Sequence, residues 1–91
     1  MSVTLRLPTV LARAAGGKTV HEASGATVGE VVADLAARHP ELGTRLRDAK
    51  GDPYPYVIFY LDDEDIRFAK GFATPVADGA EIVVVPAIAG G

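Results

Sequence analysis

Apolar and polar residues alternate through Ser2-Val3-Thr4-Leu5-Arg6-Leu7, the period of two that marks a strand with one dry face and one wet face. Pro8 ends the run. After the apolar pair Val10-Leu11, the Gly16-Gly17 step permits a turn into Lys18 to Ala23, an expected antiparallel partner for the first strand. Ser24-Gly25 breaks that second strand. Thr27-Val28-Gly29-Glu30 then has the spacing of a capping box, in which the Thr and Glu side chains satisfy orphan backbone N–H groups, and a helix is expected to start there. Val28, Val31, Val32 and Leu35 follow at i, i+3, i+4 and i+7 and share one stripe, whereas Glu30, Asp34 and Arg38 point elsewhere. Pro40 stops this helix. Leu42 and Leu46 predict a further turn or two before Asp48 to Pro55, whose Lys50-Gly51-Asp52-Pro53 centre is turn chemistry.

Tyr56 to Leu61 is a β segment bounded by the acidic turn Asp62-Asp63-Glu64-Asp65, and the short apolar Ile66-Arg67-Phe68 completes an expected second hairpin. A loop runs from Lys70 to Gly79, and Glu81 to Pro86 is the last strand. The order is ββαββ plus one more strand, an α+β arrangement without internal repeat or linker. One amphipathic stripe covers only one face of a small mixed sheet, so the other face is expected to stay open. Thr4 and Arg6 suit that open face. In the last strand Ile82 and Val84 take the core, and Val83 and Val85 fall beside Glu81 on the far side. Tyr56 to Leu61 places Val57, Phe59 and Leu61 on one face and Ile58 and Tyr60 on the other. An open patch of Ile58, Tyr60, Val83 and Val85 is then either a partner-binding surface or is covered by loops or a second copy.

Composition narrows the classes. The 91 residues make one domain with a small core. Apolar residues are 48% and charged ones 23%, ordinary for a globular protein, and no apolar run approaches the roughly 18 residues of a membrane span. A secretory signal is not visible at the start, and a cytoplasmic location without membrane attachment is expected. Cysteine is missing, which excludes disulfides, thiolate metal sites and a persulfide carried on this chain. A net charge of −3 with scattered basic residues argues against a nucleic-acid partner.

The chemistry concentrates at the end, Pro86-Ala87-Ile88-Ala89-Gly90-Gly91. Pro86 is a poor central-strand residue, and the five residues after it reach at most about 17 Å when extended, enough to enter another protein's active site. Gly90 and Gly91 carry no side chain, so a narrow channel could admit them, whereas a frayed end would be the bland reading of the pair. A terminal carboxylate on Gly91 has a pKa of about 3.3 to 3.7 and is ionised near neutral pH, able to attack an activated phosphate. The expected division is therefore a folded domain over 1–86 and a flexible tail over 87–91. Ile88 is expected to join the partner-binding residues, with Ala89 and Gly90 leading to the reacting Gly91.

Asp63-Glu64-Asp65-Ile66-Arg67-Phe68, then Gly71, Ala73-Thr74 and Ala77-Asp78-Gly79, and the ending Pro86 to Gly91 together resemble the ubiquitin-like sulfur carriers of β-grasp fold. That family includes the small subunit of molybdopterin synthase and the carrier of thiamine biosynthesis, and the likeness spans essentially the whole chain. The middle motif looks most like the carriers of a cysteine biosynthesis branch. The resemblance implies a β-grasp with a mixed sheet of four to five strands, one main helix on one face and a flexible tail. It implies no bound cofactor and no catalysis by this chain. An E1-like adenylating enzyme would consume ATP to adenylate Gly91, and a sulfur donor would displace AMP to leave a thiocarboxylate. In the cysteine branch a pyridoxal-phosphate-dependent synthase would accept the sulfur, and a metalloprotease would later free the cysteine. Material from Pro40 to Pro55 fits the shorter thiamine carrier poorly, while the molybdopterin subunit shares the proline-to-Gly-Gly ending.

Two alternatives stand beside the carrier. One is a protein modifier, joined through Gly91 to lysines of other proteins. The other is a passive β-grasp interaction domain with an idle tail. Asp62-Asp63-Glu64-Asp65 lacks the ligand spacing and central glycine of an EF-hand loop and is expected to be a solvated turn. His21 and His39 lack a third ligand in register and are expected to be ordinary surface histidines, with no metal site.

Overall fold

The fold is described for residues 2–87 in a computed structural model. Five strands form one mixed sheet in the order β2-β1-β5-β3-β4. β1 (Ser2–Arg6) pairs antiparallel with β2 (Val20–Ser24), as the alternation predicts. It pairs parallel with β5 (Glu81–Pro86), which is itself antiparallel to β3 (Val57–Leu61). Across this sheet lies α2 (Val28–Arg38), and its Val28, Val31, Val32 and Leu35 are fully buried. They meet Val3, Leu5, Ile82, Val84 and Phe59 in a single core. Each such side chain contributes roughly 1.5–3 kcal/mol by leaving water. This is the β-grasp arrangement that the family resemblance implies.

Several local details depart from the sequence reading. The pair Val10-Leu11 belongs to a one-turn helix, α1 (Thr9–Ala12), which continues into a 3-10 turn over Arg13–Ala15. Leu11 and Ala12 are buried there, so this stretch serves as a lid on the end of the sheet. The capping box is displaced by one residue. Thr27 Oγ1 accepts from Glu30 N at 3.2 Å, but Glu30 Oε1 accepts from Ala26 N at 2.9 Å. Thr27 is itself bridged to Pro75, with Val28 N donating to Thr74 O and Val76 N to Ala26 O.

After Arg38, Pro40 opens a second helix instead of only ending the first. α3 (Pro40–Leu46) begins with proline in its first turn, where the missing N–H has no intrahelical partner to lose. Leu42 and Leu46 are fully buried. α2 and α3 approach so closely that a Cβ on Gly43 would lie 2.7 Å from the Cβ of Ala36.

The second hairpin is real but short. Asp62 and Asp63 form its turn with φ of 47° and 73°, and β4 (Glu64–Asp65) gives only two residues before a 3-10 turn over Ile66–Phe68 takes over. Asp65 ends the strand by accepting the N–H of Arg67 at 2.9 Å, which caps the 3-10 turn. Apolar Ile66 is buried, whereas Phe68 is 83% exposed. The periodic signal over Ile66-Arg67-Phe68 is therefore that of a turn with one buried anchor.

Candidate functional site

β5 occupies the middle of the sheet, and its alternation divides the molecule. Ile82 and Val84 face the helices and are buried, while Glu81, Val83 and Val85 look the other way and remain partly exposed. The register sets Val83 opposite Tyr60 and Val85 opposite Ile58 on β3, with Arg6 of β1 on the other side of Val83. Four residues singled out from the sequence, Ile58, Tyr60, Val83 and Val85, therefore share one partly exposed face.

Charge pairs border this apolar strip. The Arg6 guanidinium pairs with Glu81. At the β4 edge the Arg67 guanidinium grips Asp65, with Nη2 2.7 Å and Nε 3.0 Å from Oδ2. Hydrogen bonding from Arg67 holds the Asp65 carboxyl below its ordinary range. An apolar centre rimmed by charged groups is the common anatomy of a protein contact.

The point where the chain leaves the sheet is anchored. Ala87 N donates to Tyr56 O at 2.9 Å, one residue beyond the paired strand. The Tyr56 ring is 67% exposed and rests edge-on against Tyr54, with centroids 5.4 Å apart. Sequence reasoning placed Tyr56 inside the strand and did not see this role. The Pro55-Tyr56 step, which delays the strand by one residue, is the signal that carries it. Ile88, Ala89, Gly90 and Gly91 lie outside the described residues.

The histidines are corrected. His21 is not on the surface: it alternates inward with Ala23 along β2 and is 6% exposed. Its Nε2 donates to Lys18 O at 2.7 Å, and its ring stands edge-on to His39 at 5.3 Å. Burial lowers its pKa, the hydrogen bond to Lys18 O opposes this in part, and the nearby His39, Lys18 and Arg38 add to the lowering. Among the described residues no group of three or more His, Cys, Asp or Glu could hold a metal ion. No described helix is long and apolar enough to cross a membrane.

Comparison with known proteins adds what the folded part alone does not say. The profile of the ThiS family matches residues 5–91. The sulfur carrier protein CysO of Mycobacterium tuberculosis is 42% identical over 93 aligned positions that span all of both chains. A chain of the crystal structure of the Amycolatopsis orientalis BexX/CysO complex is 38% identical and superposes with a TM-score of 0.89, covering 98% of this chain and 99% of its own. Small archaeal modifier protein 3 of Haloferax volcanii is 30% identical, again over the whole of both chains.

Proposed function

This chain belongs to the ThiS family of sulfur carrier proteins, a co-substrate and not a catalyst, and on that premise we propose that its sulfur rides on the Gly91 carboxylate as a thiocarboxylate. A carboxylate oxygen of Gly91 attacks the α-phosphorus of ATP held by an E1-like partner, and pyrophosphate leaves. A hydrosulfide equivalent from the donor then attacks the acyl carbon, AMP leaves, and one oxygen of Gly91 has been exchanged for sulfur. The thiocarboxylate sulfur is a better nucleophile than the oxygen it replaces and passes to an acceptor on a synthase. All acid–base chemistry belongs to the partners. The chain's own residues supply a surface to hold, through Ile58, Tyr60, Val83 and Val85, and a reach of about 17 Å past Pro86, in which Ile88, Ala89 and Gly90 carry Gly91 into the partner.

The observation that carries this reading is the position of the apolar strip. Val85 and Ile58 stand beside the point where Ala87 leaves the sheet, so a partner seated on the strip meets the tail as it emerges. The acceptor we favour is the synthase of a cysteine branch, a pyridoxal phosphate enzyme, with a metalloprotease to release the product. What supports this is full-length identity of 42% to CysO. A cytoplasmic location fits the same scheme.

Deleting Gly90 and Gly91 tests the reading. The truncated chain should fold, with an unchanged circular dichroism spectrum, yet fail to acquire sulfur and fail to support growth without the sulfur nutrient. Growth equal to that of the full chain would leave only a passive interaction domain. A second reading, conjugation to lysines of other proteins, is favoured by the 30% identity to a small archaeal modifier protein. It predicts slower, Gly91-dependent covalent species on denaturing gels of cell extract.

A further inference from the structure

β1 runs parallel to β5, so the segment that follows β1 lies at the same end of the sheet as the departure point of the tail. That segment is α1 and the 3-10 turn Arg13–Ala15. The end of α3 joins them there, since Leu46 O accepts from Tyr54 N at 3.0 Å just before β3 begins. Between these elements runs a groove of about 250 Å3 lined by Val10, Arg13, Ala14, Glu41 and Arg45.

The groove has an unusual charge state for its surroundings. Both arginines are exposed. Among the described residues the side-chain ion pairs are Arg6–Glu81, Arg38–Asp34 and Arg67–Asp65, so neither Arg13 nor Arg45 has a carboxylate within 4.0 Å. Even Glu41, one helical turn before Arg45, stays outside that distance. Lys18 also sits at this end, behind Leu7 N, which donates to Thr19 O. The chain as a whole carries −3, and four of its exposed acids, Asp62, Asp63, Glu64 and Asp78, gather at the opposite end of the sheet, while Glu41 and Asp52 are exposed at the tail end among Arg13, Lys18, Arg45 and Lys50. Asp48, on the tail side, is occupied in accepting the N–H groups of Lys50 and Asp52. Val10, 60% exposed, gives the groove an apolar wall.

The geometry points to this groove as the seat of an acidic segment on the protein that receives the tail, an inference that rests on the carrier reading. Two guanidinium forks separated by apolar surface match carboxylates spread along a peptide, whose aliphatic stems can lie on Val10 and Ala14. Glu41, which lines the groove with the two arginines, repels a compact dianion such as a phosphate more than it repels charges that can be placed away from it. The polarity of the molecule would also orient it, basic tail end forward, as it approaches an acidic rim.

The probe is an end-blocked deca-glutamate peptide titrated into the 15N-labelled chain at low salt, followed by amide shifts. The expected shifts fall on Val10, Arg13, Ala14 and Arg45, and fade as salt is raised to about 0.15 M, where the Debye length is about 8 Å. R13E/R45E should weaken binding about tenfold or more. The milder R13Q/R45Q should weaken it less, and E41Q should strengthen it. Shifts centred on Arg67 and Lys70, equal binding of deca-glutamine, or tighter binding of pyrophosphate at the same residues would each overturn the inference. Sulfur loading of R13E/R45E in cells separates this idea from the function it rests on. Loading about tenfold slower than in the parent chain is the expected result. Unchanged loading sinks the groove and leaves the carrier standing, whereas a parent chain that binds the peptide but never acquires sulfur sinks the carrier.

Discussion

His21 shows how one side chain ties stability to pH. Its hydrogen bond to Lys18 O makes Nε2 the donor, so the neutral ring offers only Nδ1 to a proton, in a buried site faced by His39, Lys18 and Arg38. Desolvation first, aided by these basic neighbours, outweighs the hydrogen bond to Lys18 O, which favours the charged ring, and sets the folded pKa below the ordinary value near 6.5. The unfolded chain therefore binds more protons through the window just below that value. His21 contributes full stability above about pH 6.5 and loses it progressively as pH falls toward the folded pKa. Urea midpoints measured between about pH 7.5 and 5 should fall toward acid for the parent chain and fall less for His21→Gln. Equal slopes for the two proteins would remove His21 from the account. The signal was present but unused: His21 alternates with Ala23 along β2, yet the absence of a third ligand alone decided the expectation of a surface histidine. A histidine needs no metal to be buried when a backbone carbonyl satisfies its donor.

At the scale of elements, the contact between α2 and α3 is a tight joint, with Gly43 against Ala36. Gly43→Ala would gain up to about 1 kcal/mol of helix propensity but force two Cβ atoms into overlap, which costs about 1–3 kcal/mol. The overlap wins, and thermal denaturation should show a net loss of about 1 kcal/mol. Ala36→Gly removes the other Cβ, so a double-mutant cycle should return a coupling energy well above its usual error of about 0.3–0.5 kcal/mol. Additive effects would mean that the helices part instead of clashing. β1, α2 and β5 were legible from the sequence through an apolar pattern or a capping signal, and α3 only in part, since Leu42 and Leu46 marked helical turns while Pro40 read as a stop and not as a start. α1 was not, since four residues are too few to show a helical period. β4 was misjudged for a related reason. Ile66 and Phe68 alternate like strand residues, but the Asp65 cap on Arg67 N turns the chain away after two paired residues.

For the whole molecule, the α+β order of elements and the far-side placement of Ile58, Tyr60, Val83 and Val85 followed from alternation, whereas the β-grasp topology came only from the family resemblance. Tyr56 as anchor of Ala87 and the Arg13–Arg45 groove followed from neither. Both depend on which strand ends lie together: the Tyr56 anchor on the antiparallel pairing of β3 with β5, and the groove's end of the sheet on the parallel pairing of β1 with β5, long-range facts with no local signature. The resulting object is uneven in charge: an apolar strip lies beside the departing tail, Arg13 and Arg45 line a groove at the same end, and Asp62, Asp63, Glu64 and Asp78 gather at the far end. On the proposed function, sulfur is loaded on Gly91 by a partner seated on that strip. Intact mass and terminal fragmentation of the chain, isolated from cells that make it, test this most directly when the parent is compared with Val83→Asp/Val85→Asp. Substituted residues lie on the partly exposed face, so the variant should keep its fold by circular dichroism. The account predicts an oxygen-for-sulfur mass increment confined to Gly91 in the parent and reduced about tenfold or more in the variant. Sulfur placed elsewhere in the chain, or an equally loaded and folded variant, would contradict it.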